Sequence, residues 1–514
     1  MEITELHWTS QSTYPILAAL QLLPLLAMLL ILVMRKRKGL PLIAAGFALV
    51  ELLLAVDLYR HFDSTQTAMQ LAEYLPLLPA LGYHAAADGM TVLFMLLTAL
   101  LSLMVVLYAQ QQHVRGLDRY LVIVFAVQAS LQSMFASQDL LWFTLLSPVQ
   151  LMLIAYLLKG WSNAPQEEMA LQRYLQFMGT GLLLLGTGLV VLGWNYAAVN
   201  DGQWSFDLHR LARVPVPGAI QTITFFLLFY GLGIRIPVFP LHGWLPSFAE
   251  HGTVAVAGVF LLGLKVGIYG LLRFVFSLLP DAVMQWHAWV VAFALTGIFY
   301  AAILALMQTN LRRLLAFAVV SHTGLLTIGL FTLSTAAFQG SLMLSANFGL
   351  ATAGLLFMSS VVYRRTHTLT LSRLGGLFDP LPVIGVAFLI AGLSIIGMPG
   401  TPGFDAAHLV LEASIEEFGA LATIAAALGN VAAAAFLLWA FQRAFLAPLD
   451  ESTQHHHIAP ASRMERSIAI MMIVILLGTG FYSEPWLELI EHSFDGLSAQ
   501  YQHVHTGTMG LVPH

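Results

Sequence analysis

Apolar residues in this chain fall into long unbroken blocks, and the polar residues collect in brief gaps between them. A helix crosses the hydrocarbon core of a bilayer with about 20 mostly apolar residues. Fourteen blocks meet that need: 14–34, 40–58, 88–109, 120–137, 140–158, 174–196, 218–240, 252–276, 284–307, 311–333, 335–363, 380–398 (continuing as a second half-helix to about 418), 420–441 and 467–484. The pattern therefore predicts an all-α polytopic membrane protein of about 14 transmembrane helices. The gaps are short, so the spans form one body. The first block is not read as a cleaved leader. Glu2 and Glu5 precede it, and its basic flank, Arg35-Lys36-Arg37-Lys38, follows it.

Two blocks contain prolines that a continuous helix does not tolerate. The seventh runs into Arg235-Ile236-Pro237-Val238-Phe239-Pro240, and the twelfth into Gly397-Met398-Pro399-Gly400-Thr401-Pro402-Gly403. Proline removes a donor and clashes with the preceding turn. Hydrophobic sequence resumes after both motifs, so each is read as a break inside the membrane. Non-helical backbone survives at that depth only where protein or water covers it. Two such breaks five spans apart predict two inverted five-helix repeats, spans four to eight and nine to thirteen, with broken helices 7 and 12.

Charge adds an orientation. Of 22 Lys and Arg, sixteen (Arg35, Lys36, Arg37, Lys38, Arg115, Arg119, Lys159, Arg173, Arg312, Arg313, Arg364, Arg365, Arg373, Arg443, Arg463 and Arg466) fall in the gaps on one side. Arg60, Arg210, Arg213 and Arg273 fall on the other, and Arg235 and Lys265 within spans. Basic residues mark the inner side. The chain is thus expected in the inner (plasma) membrane with both termini outside. Its expected divisions are 1–119 (the first three spans), 120–441 (the repeat-bearing, conducting core) and 442–514 (a His-containing loop, the last span and an outside tail).

Composition narrows the chemistry. Only 10% of residues are charged against 58% apolar, and the mean hydropathy is +0.80, which rules out a soluble enzyme. There is no cysteine, hence no disulfide, thiolate zinc site or cysteine-held cluster. A net charge of −5 excludes a basic nucleic-acid footprint. No glycine-rich phosphate loop occurs. No catalytic residue, cofactor or metal site is therefore assigned from sequence.

Ionisable residues in hydrocarbon are costly and point to function. Lys265 sits near the middle of the eighth span, too deep to snorkel easily. Desolvation can bring a lysine within reach of neutral pH, whereas an arginine stays charged. Arg235 at the seventh-span break can therefore hold a field but not relay a proton. His242 and His322 are candidate relays. Gly263 and Gly267 flank Lys265 as a helix-packing pair. After the second break, Asp405, His408, Glu412 and Glu416 share one helical face, which either lines a hydrated channel, meets a polar partner or is simply solvated. His408 and Glu412 alone are too weak a pair for a metal, and His455-His456-His457 reads as a solvated loop in preference to a metal site or a proton collector.

Three stretches carry a family resemblance. Ile234–Pro246 resembles the seventh-helix signature of the antiporter-like subunits of respiratory complex I. Leu264–Phe274 is similar to their eighth helix, and Asn310–Gly324 to their most recognisable segment. The resemblance covers roughly 80–440, is of the M-chain (chain 4) kind, and extends to cation/proton antiporter complexes, membrane-bound hydrogenases and inorganic-carbon uptake complexes. It implies a polar axis of a helix-five glutamate, a helix-seven lysine, a helix-eight lysine and an ionisable residue on helix twelve. Here only Lys265 keeps its identity. The helix-seven lysine falls on Arg235, the helix-five glutamate on Val149 or Gln150, and the helix-twelve residue on Ala407, with Asp405 and His408 nearby. A helix-eleven histidine falls on Phe348.

In the family the glutamate–lysine pair is held to switch, its parting releasing the lysine proton. Arginine without a carboxylate cannot do this. The resemblance thus implies a proton- or monovalent-cation-conducting subunit of a complex I-like NADH-quinone oxidoreductase assembly, with an altered N-terminal half-channel and no redox centre of its own. Two other readings stay open: a gradient-coupling subunit of a CO2/bicarbonate uptake complex, and a non-conducting structural subunit. Each requires other membrane and peripheral subunits as partners and the bilayer, and none involves nucleic acid.

Overall fold

Helices form where the apolar blocks run. In the computed structural model, which describes residues 4–509 except 36, 38, 79, 112–113, 163–166, 252–264 and 449–457 (side chains of 78, 167 and 503–509 aside), eleven helices are long and apolar enough to cross a membrane. The first six spans are Ile16–Val33, Leu40–His61, Gly89–Gln111, Leu117–Ala136, Leu140–Trp161 and Glu167–Val199. Pro280–Leu306, Leu311–Leu330 and Thr335–Thr366 follow the first break, and Arg463–Phe481 is the last span. The eighth span is described only from Lys265 to Phe276, so Gly263 lies outside the described residues, as do Lys36, Lys38 and His455–His457.

Both expected breaks are present. The seventh span is helical over Gly218–Gly233, passes through turns, and resumes as Leu245–His251. The indole nitrogen of Trp244 donates to the carbonyl of Ile234, covering one acceptor freed by the break (3.1 Å). The twelfth span is helical over Pro382–Ile396 and ends at Gly397, whose φ of 79° is the left-handed turn that closes many helices. It resumes at Pro402 in the first helical position, where the missing N–H is not needed. Asn347 Nδ2 donates to the carbonyl of Ser394 and its Oδ1 accepts from Ser394 Oγ, sealing this second break. A side chain from a neighbouring element thus covers backbone at each interruption. The helix from Pro402 is divided at Gly419 (φ 77°, ψ 171°), where the sequence separates half-helix from following span.

Three features depart from the sequence reading. A three-stranded sheet of β1 (Glu5–His7), β2 (Met69–Leu78) and β3 (Leu81–Ala87), in that order, replaces the loops expected before the first and third spans. Pro76 and weak alternation hid the hairpin. The segment after the last span is helical, over Glu484–Glu491 and Asp495–Met509. Arg273, counted among outside loop residues, is instead buried in the eighth span.

Segments of like side gather at common ends. The sheet meets the short helix Leu208–Leu211, while Gly89 N donates to Ser493 Oγ and Tyr501 donates to the Phe276 carbonyl. At the opposite end, Arg313 pairs with Glu250 (3.1 Å), and Glu465 with Arg364 and Arg365 (3.3 and 2.8 Å). The N-terminal strand and the C-terminal helix therefore share one end, and the arginine-rich gaps occupy the other.

The second break is packed without slack. A Cβ at Gly403 would collide with the Ser394 carbonyl and stand 2.7 Å from Asn347 Nδ2. Backbone cannot yield as a flexible side chain does, and overpacking of this kind costs typically about 1–3 kcal/mol. Gly403→Ala is expected to lower the melting temperature of the purified protein and its yield. Gly46→Ala, on the open side of the second span with nothing within 4 Å, should leave both unchanged or raised.

Candidate functional site

The two breaks bring charged and titratable side chains to the interior. Arg235 is buried in the turn that follows Gly233, and its Nη1 donates to Gln150 Oε1 on the fifth span (3.0 Å). Val149, the other position open for the family glutamate, is 48% exposed. Gln150 is therefore the residue that faces Arg235, and a neutral amide stands where an acid would complete a switchable pair. Its Nε2 has no partner among the described residues.

Lys265 is buried at the start of the described part of span eight. No carboxylate pairs with it among the described residues. Gly267, two residues further on, lets this helix approach the first break: a Cβ there would be 2.8 Å from the Leu232 carbonyl. Lys265 and His322 line one internal cavity of about 30 Å³, together with Pro237 from the break, Thr323, Phe348 and Gly349. The amine lies over Gly349, where a side chain would displace it. The space suffices for one or two waters.

His322 Nδ1 lies 2.7 Å from the Ala318 carbonyl, and Nε2, on the side of the Ile395 backbone, is buried without a close hydrogen-bond partner among the described residues. The ring meets Phe348 edge-on at 4.9 Å between centroids. An imidazole sharing a water-sized cavity with an amine is an arrangement through which a proton can pass. Phe348 presents no such group.

The other sequence candidates lie apart from this cavity. His242 is buried in an aromatic cage of Phe239, Tyr300 and Phe317, its Nδ1 unpartnered. Asp405 accepts from Ser483 Oγ (2.5 Å) beside the last span. His408 and Glu412 are about two-thirds exposed and face each other at 3.6 Å. Their stripe with Glu416 turns outward, because Ala406, Ala407 and Val410 take the inward face of that helix. Of the uses open to it, it does not line the Lys265 cavity.

Several buried carboxyl groups escaped the sequence reading, Glu51 and Asp88 among them. Glu51, on the second span, is 1% exposed; one oxygen accepts from Gln132 Nε2 (3.1 Å) and the other has no partner. Its place mid-block was the available signal. Asp88 caps the third span through Thr91 N (2.9 Å) and pairs with Arg273 (2.8 Å), which also reaches Thr91 Oγ1 and the Tyr269 hydroxyl. Nothing in local sequence links positions 88 and 273. The pair borders a cavity of about 250 Å³ at the end of the molecule that carries the sheet.

Interrupted helices around Arg235 and Lys265, which pair with no carboxylate among the described residues, define a polytopic membrane protein of the ion-translocating kind. The family model described as NADH:quinone oxidoreductase/Mrp antiporter, transmembrane, matches residues 137–433, more than half of the chain, and the chain belongs to that family. It is 28% identical to the NAD(P)H-quinone oxidoreductase chain 4 2 of Thermosynechococcus vestitus, over 98% of this chain and 94% of the relative. It is 27% identical to NADH-quinone oxidoreductase subunit M of Escherichia coli K12, over 83% and 85%. A chain of respiratory complex I from Thermus thermophilus, solved with bound NADH, superposes with a TM-score of 0.83 at 25% identity, covering 94% of this chain and 99% of that one.

Proposed function

We propose that this chain is the proton-conducting membrane subunit of a complex I-like assembly and that protons pass through Lys265 and His322. The observation that carries the reading is their shared internal cavity beside the first break. Arg235 keeps its charge beside Gln150 and supplies a fixed field. The chain has no nucleotide-binding or redox motif, so the energy comes from partner subunits. The outward Asp405, His408 and Glu412 stripe suits a polar partner surface better than an internal conduit. The orientation we assign puts both termini outside, a reading supported by the basic residues gathered at the opposite end.

The test is purification of the chain with its native partners and reconstitution in liposomes. Driven by the partners' substrate, the assembly should acidify one compartment. The chain lacks cysteine, so single replacements report its sidedness. In intact cells Thr9→Cys should react with an impermeant maleimide and Arg463→Cys should not. Turnover of partners without proton movement would assign the chain a non-conducting role instead.

A further inference from the structure

Away from the membrane interior, three segments bring a second set of titratable side chains together. Glu5 lies on β1, His84 on β3, and His209 on the short helix Leu208–Leu211. His84 Nε2 is 2.8 Å from Glu5 Oε1, and His209 Nε2 is 2.9 Å from the same oxygen. All three donor atoms lie within 4.8 Å of one another. His209 Nε2 is buried and meets the Glu5 oxygen in a close ion-pair contact, so both imidazoles converge on one carboxylate. His84 Nδ1 is bound by Asp207 Oδ2 (2.5 Å), and Asp207 Oδ1 is held by Arg210 N. A carboxylate on the far nitrogen fixes the ring so that Nε2 faces the other two donors, as behind most metal-bound histidines.

We propose that Glu5, His84 and His209 form a binding site for a divalent transition metal of the zinc class, with Asp207 orienting His84. Two imidazoles and one carboxylate select such an ion over calcium or magnesium, which favour oxygen ligands. Bonds of about 2.0–2.1 Å around a tetrahedral ion set its ligands roughly 3.3 Å apart. Glu5, a quarter exposed on a three-residue strand, would draw back by a few tenths of an ångström from each imidazole. The ion would tie the N-terminal strand, the hairpin and the segment before the seventh span together. Ligands spread from position 5 to position 209 form no motif, which is why no metal was assigned from sequence.

The test uses the purified complex, stripped with chelator and dialysed, then titrated with Zn²⁺ against a chromophoric competitor. One zinc ion per chain is expected at micromolar affinity or tighter. His209→Gln and Glu5→Gln, at partly exposed positions that should not disturb folding, should each weaken binding at least tenfold, and Asp207→Asn by 10- to 100-fold. His492→Ala, which removes a different surface histidine paired with an acid, should change nothing. Failure of the wild-type complex to take up stoichiometric zinc, or equal affinity in the His209→Gln and Glu5→Gln complexes, would overturn the proposal and leave the cluster as an ion-paired histidine network.

Discussion

Lys265→Ala is expected to abolish proton translocation by the assembled complex while leaving assembly intact. The amine occupies a cavity whose other titratable side chain is His322, and no carboxylate neutralises it among the described residues. A charged group in the hydrocarbon costs at least about 2.5–3.5 kcal/mol, so its retention calls for a use. That use is exchange: an amine can lose and regain a proton within the operating range, whereas a guanidinium cannot. His322→Ala should act in the same direction but less completely, since water can partly replace a relay in a cavity of this size. Flux is read as the initial rate of acidification in liposomes, with subunit stoichiometry checked on the same preparation.

Gln150→Glu is expected to slow translocation at least tenfold. Gln150 accepts a hydrogen bond from Arg235 without neutralising it. In the proposed path its fixed positive charge acts at a distance on the cavity that Ile236 and Pro237, the next two residues, help to line. A like charge nearby disfavours protonation of Lys265 and so helps it release its proton. A carboxylate at position 150 would form an ion pair worth roughly 4 kcal/mol at 4 Å and an effective dielectric constant of about 20, before desolvation is deducted. That pairing cancels the field, and arginine offers no way to undo it. The double variant Gln150→Glu/Arg235→Lys should recover much of the rate, because a lysine can part from its acid and discharge. Arg235→Lys alone should retain much of the activity, since the charge stays. An unchanged rate in Gln150→Glu would show that the field of Arg235 is not used.

How far the sequence could be read follows from the range of each interaction. Helices and breaks are local. Runs of apolar residues set the spans, and Pro237, Pro240, Pro399 and Pro402 set the interruptions, so both were legible within a few residues. Lys265 was legible because a lysine in hydrocarbon stands out against its neighbours. The hairpin Met69–Ala87 was not, because a short strand pair with Pro76 inside leaves little periodic signal. The outward turn of Asp405, His408 and Glu412 could not be read either. Spacing shows that these residues share a face, but packing by Ala406, Ala407 and Val410 decides which way it looks. Glu51 with Gln132, Asp88 with Arg273 and the Glu5, His84 and His209 cluster join residues far apart in the chain, and only the fold brings them together.

The central claim is that position 265 exchanges protons and does not merely hold a charge. Proton flux through the reconstituted complex carrying Lys265→Arg tests it most directly, because this change keeps the positive charge and removes the exchange. The account predicts a normally assembled complex with flux reduced nearly to that of Lys265→Ala. A fully assembled Lys265→Arg complex that translocates protons at the wild-type rate would contradict it.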